Sequence, residues 1–178
     1  MKYLQILLFA TFSLFFACKS DKNKANDKPF AGCKCGAPSP IFNEKIPEHV
    51  AGHSFSMTSD AGVEVVKMKN STILQIVQTG CSDIKQEFSF IYKNKEMLQY
   101  NDAQWIQNAV EEFKKIGTFS PKFSPFVLWG NALEQYKNEF KIGEAKELDK
   151  GFFMTIDKII SGEEATMIVT VYADSCDK

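Results

Sequence analysis

The order of strand-like and helix-like segments constrains the fold of this chain more than any single motif. Apolar and polar side chains alternate in four short segments between residues 53 and 93, which turn sequences separate. Alternation with a period of two is typical of strands that bury one face and leave the other in water. The pattern predicts an antiparallel meander with strands at 53–58, 63–69, 72–79 and 84–93, and residues 96–100 are predicted to add a short strand.

A first helix is predicted directly after the meander. Asn101 and Gln104 have the spacing of a capping box, in which each side chain binds a backbone N–H of the first helical turn. A stripe of apolar side chains then runs from Trp105 to Ile116, and Gly117 is a typical end of a helix.

A second helix is predicted to begin at Ser124 and Pro125, with the serine as cap and the proline at the first helical position. Apolar side chains at spacings of three and four follow as far as Gly143. Gly130 lies inside this pattern and costs about 1 kcal/mol relative to alanine, which indicates a close backbone contact at that point.

The chain closes with a second hairpin, predicted at residues 152–160 and 165–173 around the turn Ser161-Gly162. The fold class is therefore α+β. We expect an antiparallel sheet of five to seven strands, built from the meander and the C-terminal hairpin, with two helices packed on one face. A β-sandwich with the helices as an excursion is the alternative.

Composition excludes several classes of protein. Hydrophobic residues make up 44% of the 178 residues and charged residues 24%, which is the balance of a globular chain. The 21 basic residues are all lysine and face 22 acidic ones, so a nucleic-acid partner is not expected. Without arginine, no guanidinium can clamp a phosphate or carboxylate.

The N-terminus has the features of an export signal. Lys2 supplies a positive charge, residues 6–17 are mostly apolar, and the small Ala17 stands directly before Cys18. Residues 19–28 then contain four lysines and no apolar side chain larger than alanine. Such a segment cannot bury enough surface to order itself.

This edge resembles the lipobox of bacterial lipoproteins, and the resemblance covers residues 1–18. It implies that residues 1–17 are a signal peptide and that Cys18 carries palmitate-type acyl chains. Residues 18–28 would then be a lipidated tether, and residues 29–178 one globular domain. The expected location is the bacterial cell envelope, outside the cytoplasm, with the lipid in a membrane, expected to be the outer membrane. An ordinary secretory signal and an uncleaved anchor are the alternatives.

Four further cysteines remain: Cys33, Cys35, Cys81 and Cys176. An even number in an exported chain indicates two disulfide bonds. A bond between Cys33 and Cys35 would close a strained ring. We therefore expect each of these two to bond with either Cys81 or Cys176, in either arrangement.

A metal site is the alternative use of the first two of these cysteines. Cys33 and Cys35 precede His49 and His53, the two histidines of the chain, and two thiolates with two imidazoles suit zinc or copper. A redox-active Cys-x-Cys pair is a further alternative. The single residue between the cysteines and the prolines that follow do not match a zinc finger.

The sequence contains no recognised catalytic motif, such as Gly-x-Ser-x-Gly, a phosphate-binding loop or His-Glu-x-x-His. It predicts a membrane-anchored, non-catalytic binding or interaction module, with no cofactor and with a protein partner in the envelope. A metal-binding or redox lipoprotein and an enzyme with dispersed catalytic residues are the two alternatives. The phenylalanine-rich segment 119–126 is expected to cover the end of the core, and a recognition loop is the alternative.

Overall fold

The computed structural model describes residue 30 and residues 34–42, 48–81 and 83–173. The predicted signal peptide, Cys18, the tether, Cys33 and Cys176 lie outside these residues. The described chain forms seven strands and two helices: β1 Val50–Met57, β2 Gly62–Met68, β3 Ile73–Thr79, β4 Ile84–Tyr92, α1 Asp102–Gly117, α2 Ser124–Tyr136, β5 Lys146–Asp149, β6 Phe152–Ser161 and β7 Glu164–Ala173. The α+β class and the antiparallel sheet are confirmed, and the sandwich alternative is wrong.

All seven strands form one sheet in the order β1-β2-β3-β4-β7-β6-β5, and each pair of neighbours is antiparallel. The meander β1–β4 therefore meets the C-terminal hairpin along β4 and β7. Ile84–Tyr92 pairs over its whole length with residues 165–173. Both helices lie in the connection between these two halves of the sheet, as predicted.

One face of the sheet, the core face, carries the buried side chains. Phe88 of β4 lies near its centre, with ring centroids 5.3–5.7 Å from Phe113 of α1 and from Phe126 and Trp129 of α2. The strand residues on this face are almost all apolar and fully or nearly fully buried: Val66, Met68, Leu74, Ile76, Phe88, Phe90, Tyr92, Met154, Ile156, Ala165, Met167, Val169 and Val171. Burial of this surface is the main stabilising contribution to the fold.

Helix α1 begins with the predicted capping box. The Asn101 side chain accepts from the backbone N–H of Gln104 at 3.0 Å, and the Gln104 side chain accepts from the N–H of Asn101 at 2.9 Å. The apolar stripe that follows is buried, as its spacing predicts. This helix could be predicted because its cap and stripe are both local in sequence.

The two helices approach each other closely where α2 has a glycine. A Cβ atom on Gly130 would lie 2.7 Å from Cγ of Lys114 and 3.1 Å from its backbone nitrogen. Gly117 makes the reciprocal contact, since a Cβ there would lie 2.2 Å from a methyl group of Val127. The close contact predicted at Gly130 is thus present between α1 and α2.

A second element covers the core face beside the helices. We call residues 34–42 the strap. Pro38 of the strap lies against Gly62 of β2, where a Cβ would come within 2.5 Å of the proline Cβ. Gln78 of β3 donates from its side chain to the carbonyl of Ser39 at 2.7 Å. Phe42 is fully buried and its ring lies 4.8 Å from that of Phe123. The strap thus covers β2 and β3.

Four local predictions differ from the structure. Residues 95–99 form a 3₁₀ helix capped by Asn94, not a strand. Ser124 is the first residue of α2 and not its cap, and α2 has no side-chain cap, since the 3₁₀ turn Pro121–Phe123, capped by Ser120, leads directly into it. The same helix ends at Tyr136, before Gly143, and the short strand β5 was not predicted.

The described residues include no helix that is long and apolar enough to span a membrane.

Candidate functional site

We call the disulfide bonds expected of the four cysteines the cysteine staple. Its two described members, Cys35 and Cys81, lie at the end of β3. Cys35 of the strap donates its backbone N–H to the carbonyl of Cys81 at 3.1 Å, and its sulfur lies 3.2 Å from the carbonyl oxygen of Asp83. Because Cys33 and Cys176 lie outside the described residues, the pairing of the four sulfurs stays a prediction.

Tryptic mapping distinguishes the two predicted pairings. Lys34 separates Cys33 from Cys35, and further lysines place Cys81 and Cys176 on peptides of their own. After alkylation without reductant, we expect two linked peptide pairs. Each pair should join one of the first two cysteines to one of the last two. A peptide joining Cys33 to Cys35, or four alkylated cysteines, would contradict the staple.

His53 binds a buried carboxylate rather than standing free for a metal. Its Nε2 lies 2.6 Å from Oε1 of Glu64, whose side chain is fully buried. The backbone N–H groups of Ile41 and Phe42 donate to the two oxygens of the same carboxylate, each at 2.8 Å. Hydrogen bonds from β1 and the strap therefore converge on one carboxylate of β2. These bonds offset the free-energy cost of burying that carboxylate.

His49 lies elsewhere, stacked on Phe119 with ring centroids 4.9 Å apart. In register, His53 is four residue positions along the strands and two strands across from Gln78, and Cys81 lies beyond Gln78. That places His53 about 17 Å from Gln78 and farther still from Cys81. The structure does not bring Cys35 to the two histidines, and the described residues hold no group of three or more histidine, cysteine or acidic side chains that suits a metal.

The aromatic segment between the helices belongs to the core. Phe123 and Phe126 are 1% and 4% exposed, and Phe119 is half-buried beneath His49. The expectation that these rings cover the end of the core is confirmed.

A small polar cluster lies between α1 and the sheet. Asn108 donates from its side chain to the hydroxyl of Tyr92 at 2.8 Å, and the Glu112 carboxylate lies 3.3 Å from the ammonium of Lys115. Burial, and then the charge of Glu112, raise the pKa of Tyr92, so the phenol stays neutral. Burial also raises the pKa of Glu112, against the opposing effect of Lys115. This cluster positions α1 on the sheet, and we assign it no chemistry.

The face of the sheet opposite the core face carries half-buried and exposed side chains in the described chain. We call it the open face. None of its residues on the six longer strands is buried, and they are Gly52, Ser54, Ser56, Val63, Val65, Lys67, Ile73, Gln75, Val77, Thr79, Lys85, Glu87, Ser89, Ile91, Phe153, Thr155, Asp157, Ile159, Ser161, Glu164, Thr166, Ile168, Thr170 and Tyr172. Eleven of them are valine, isoleucine or threonine, whose side chains are stiff at χ1.

A shallow pocket of about 480 Å³ lies on this face where β4, β7 and β6 run side by side. Phe153 and Tyr172 form its aromatic floor, with ring centroids 6.1 Å apart. Thr155 and Thr170 contribute further lining, and Lys85 supplies a charge at the side. The predicted C-terminal hairpin already pairs Phe153 with Tyr172, but sequence reasoning missed the site because the pocket also needs Lys85 of β4 and Ala145, which lie far from the hairpin in sequence.

The chain matches no known protein family, no curated protein and no solved structure.

Proposed function

We propose that this protein is a lipid-anchored, non-catalytic binding module of the bacterial cell envelope, and that a protein partner docks on its open face. The lipid attachment rests on the lipobox-like sequence that ends at Cys18. The docking role rests on one observation, the open face with its aromatic pocket.

The chemistry of the pocket favours a protein partner. Large aromatic side chains in a shallow pocket, with polar residues around them, are typical of the few positions that contribute most of the energy of a protein interface. The β-branched side chains around the pocket have few accessible rotamers, so little conformational entropy is lost when a partner binds. A surface of this kind can accept an apolar side chain of a partner without first rearranging.

The positions of the other reactive residues support a binding role over the alternatives. The Glu64 carboxylate accepts hydrogen bonds from the strap and binds His53, and the backbone N–H of Cys35 donates to the carbonyl of Cys81 at the end of β3. These residues therefore have structural tasks in the described chain. We therefore place the binding role at the pocket of Phe153 and Tyr172 on the open face.

Photo-crosslinking in cells tests this proposal. A photo-reactive amino acid at Ser89, in the middle of the open face, should give an adduct with one reproducible protein. The same probe at the exposed Asn131 of α2 should not. Removing the aromatic floor with Phe153→Ala should reduce the Ser89 adduct by about tenfold or more, which is the effect expected of an interface hot spot.

Leu128→Ala is the matched control, because Leu128 is an apolar side chain of α2 that is 67% exposed. It should leave the Ser89 adduct unchanged. Equal adducts from Ser89 and Asn131, or an adduct that survives Phe153→Ala, would contradict docking at the open face.

A further inference from the structure

The two edges of the sheet differ sharply in how they are protected against pairing with another chain. At one edge, β5 has four residues, and three of them are charged: Lys146, Glu147 and Asp149. Short edge strands that carry charges are a common defence, because a charge cannot be buried at low cost beside a new strand. This edge is therefore closed to further pairing.

The other edge of the sheet is formed by β1, which is neither short nor charged. Strand β1 has eight residues and contains no lysine, aspartate, glutamate or proline. Its one irregularity lies between Val50 and Gly52, so residues 52–57 pair regularly with β2. Ala51, Ser54, Ser56 and Met57 are exposed. Regular backbone, small side chains and the absence of charge make this edge a template for another strand.

We propose that β1 pairs antiparallel with β1 of a second copy of this chain, so that the two sheets become one continuous sheet. The strand contains no lysine, aspartate or glutamate, so no like charges oppose each other when the same edge of two copies meets around a twofold axis. A twofold axis at Ser54 sets Ser54 against its copy, Gly52 against Ser56, and His53 against Phe55.

This register also preserves the two faces of the sheet. Residues directly opposite each other on antiparallel strands point to the same side. Ser54 and Ser56 pair with Val65 and Val63 of β2 and so lie on the open face. Phe55 pairs with Glu64 and lies on the core face with His53. The dimer therefore joins open face to open face, where glycine and serine meet at the seam, and it places His53 opposite Phe55 on the core face.

The area of the contact sets the expected strength of the dimer. A seam of six residues is about 20 Å long and one strand wide. The surface area that such a seam buries is smaller than the roughly 1,200–2,000 Å² of a standard stable interface. The dimer is accordingly weak and reversible, and it is measured with concentrated protein.

A charge-swap experiment tests the proposal. The purified full-length chain is studied by sedimentation velocity over a range of concentrations, alone and as the variants Ser54→Lys and Ser54→Glu. The unchanged chain should dimerise, and each variant alone should bind itself at least about tenfold more weakly, because like charges then face each other across the seam. An equimolar mixture of the two variants should dimerise again, which a misfolded variant could not do.

Ser89→Lys is the matched control, because it makes the same change in the middle of the open face. It should leave the dimer unchanged. A chain that stays monomeric at every concentration, a mixture that does not recover, or a dimer lost with Ser89→Lys but not with Ser54→Lys would overturn the pairing through β1.

Discussion

Replacing Glu64 by glutamine should lower the free energy of unfolding by about 3 kcal/mol, since buried hydrogen bonds to a charged group contribute about 1.5–3 kcal/mol each. The carboxylate accepts from Ile41, Phe42 and His53, and glutamine can accept at only one of its two terminal atoms. In either orientation the amide nitrogen would then face a backbone N–H, that of Ile41 or that of Phe42, and two donors would oppose each other. The substitution changes the shape of the side chain very little, so the loss reports the hydrogen bonds themselves.

Thermal unfolding measures this effect, with an expected fall in Tm of about 9 °C for a chain of this size. Glu163→Gln is the matched control, because its pair with Lys95 is exposed on both sides, and its effect should stay below about 0.5 kcal/mol. Hydrogen exchange adds a local readout, since the amides of Ile41 and Phe42 should exchange faster in Glu64→Gln. Equal stability of the two variants would show that Glu64 does not hold the strap.

Features that are local in sequence could be predicted. The capping box of Asn101 and Gln104 lies within four residues, and the alternation of β4 follows from burial of one face. The same reasoning placed the two helices in the connection between the meander and the final hairpin, where the structure has them. In each case the side chains that decide the structure are near each other along the chain.

Features that depend on distant partners could not be predicted. Glu64 shares its phase along β2 with Val66 and Met68, which places a carboxylate among buried apolar residues. The sequence does not show which groups would satisfy this carboxylate, because its donors Ile41 and Phe42 are 23 and 22 residues away. The phase with two apolar neighbours was the one available signal that this glutamate has buried partners.

The predicted end of α2 is wrong because the apolar pattern continues beyond the helix. Apolar side chains continue after Tyr136 as far as Ile142, and their spacing predicts a longer helix. Phe140 is buried but lies after the end of α2. Strand β5 carries too many charges to be recognised by alternation, and it exists because β6 offers an edge.

Replacing Cys18 by serine should have the largest effect in cells. The proposed acyl chains each contribute about 0.8 kcal/mol per buried methylene, and two or more chains hold a protein firmly to a bilayer where one chain does not. Serine has no sulfur to acylate, so the anchor should be lost completely. Cys35→Ser is the matched control, since it removes a sulfur of the staple and leaves Cys18 in place.

Metabolic labelling with radioactive palmitate tests the anchor most directly. The unchanged chain and Cys35→Ser should both incorporate the label and sediment with membranes. Cys18→Ser should carry no label above background. An unlabelled wild-type chain, or a label that survives Cys18→Ser, would contradict the lipid anchor on which the proposed envelope function depends.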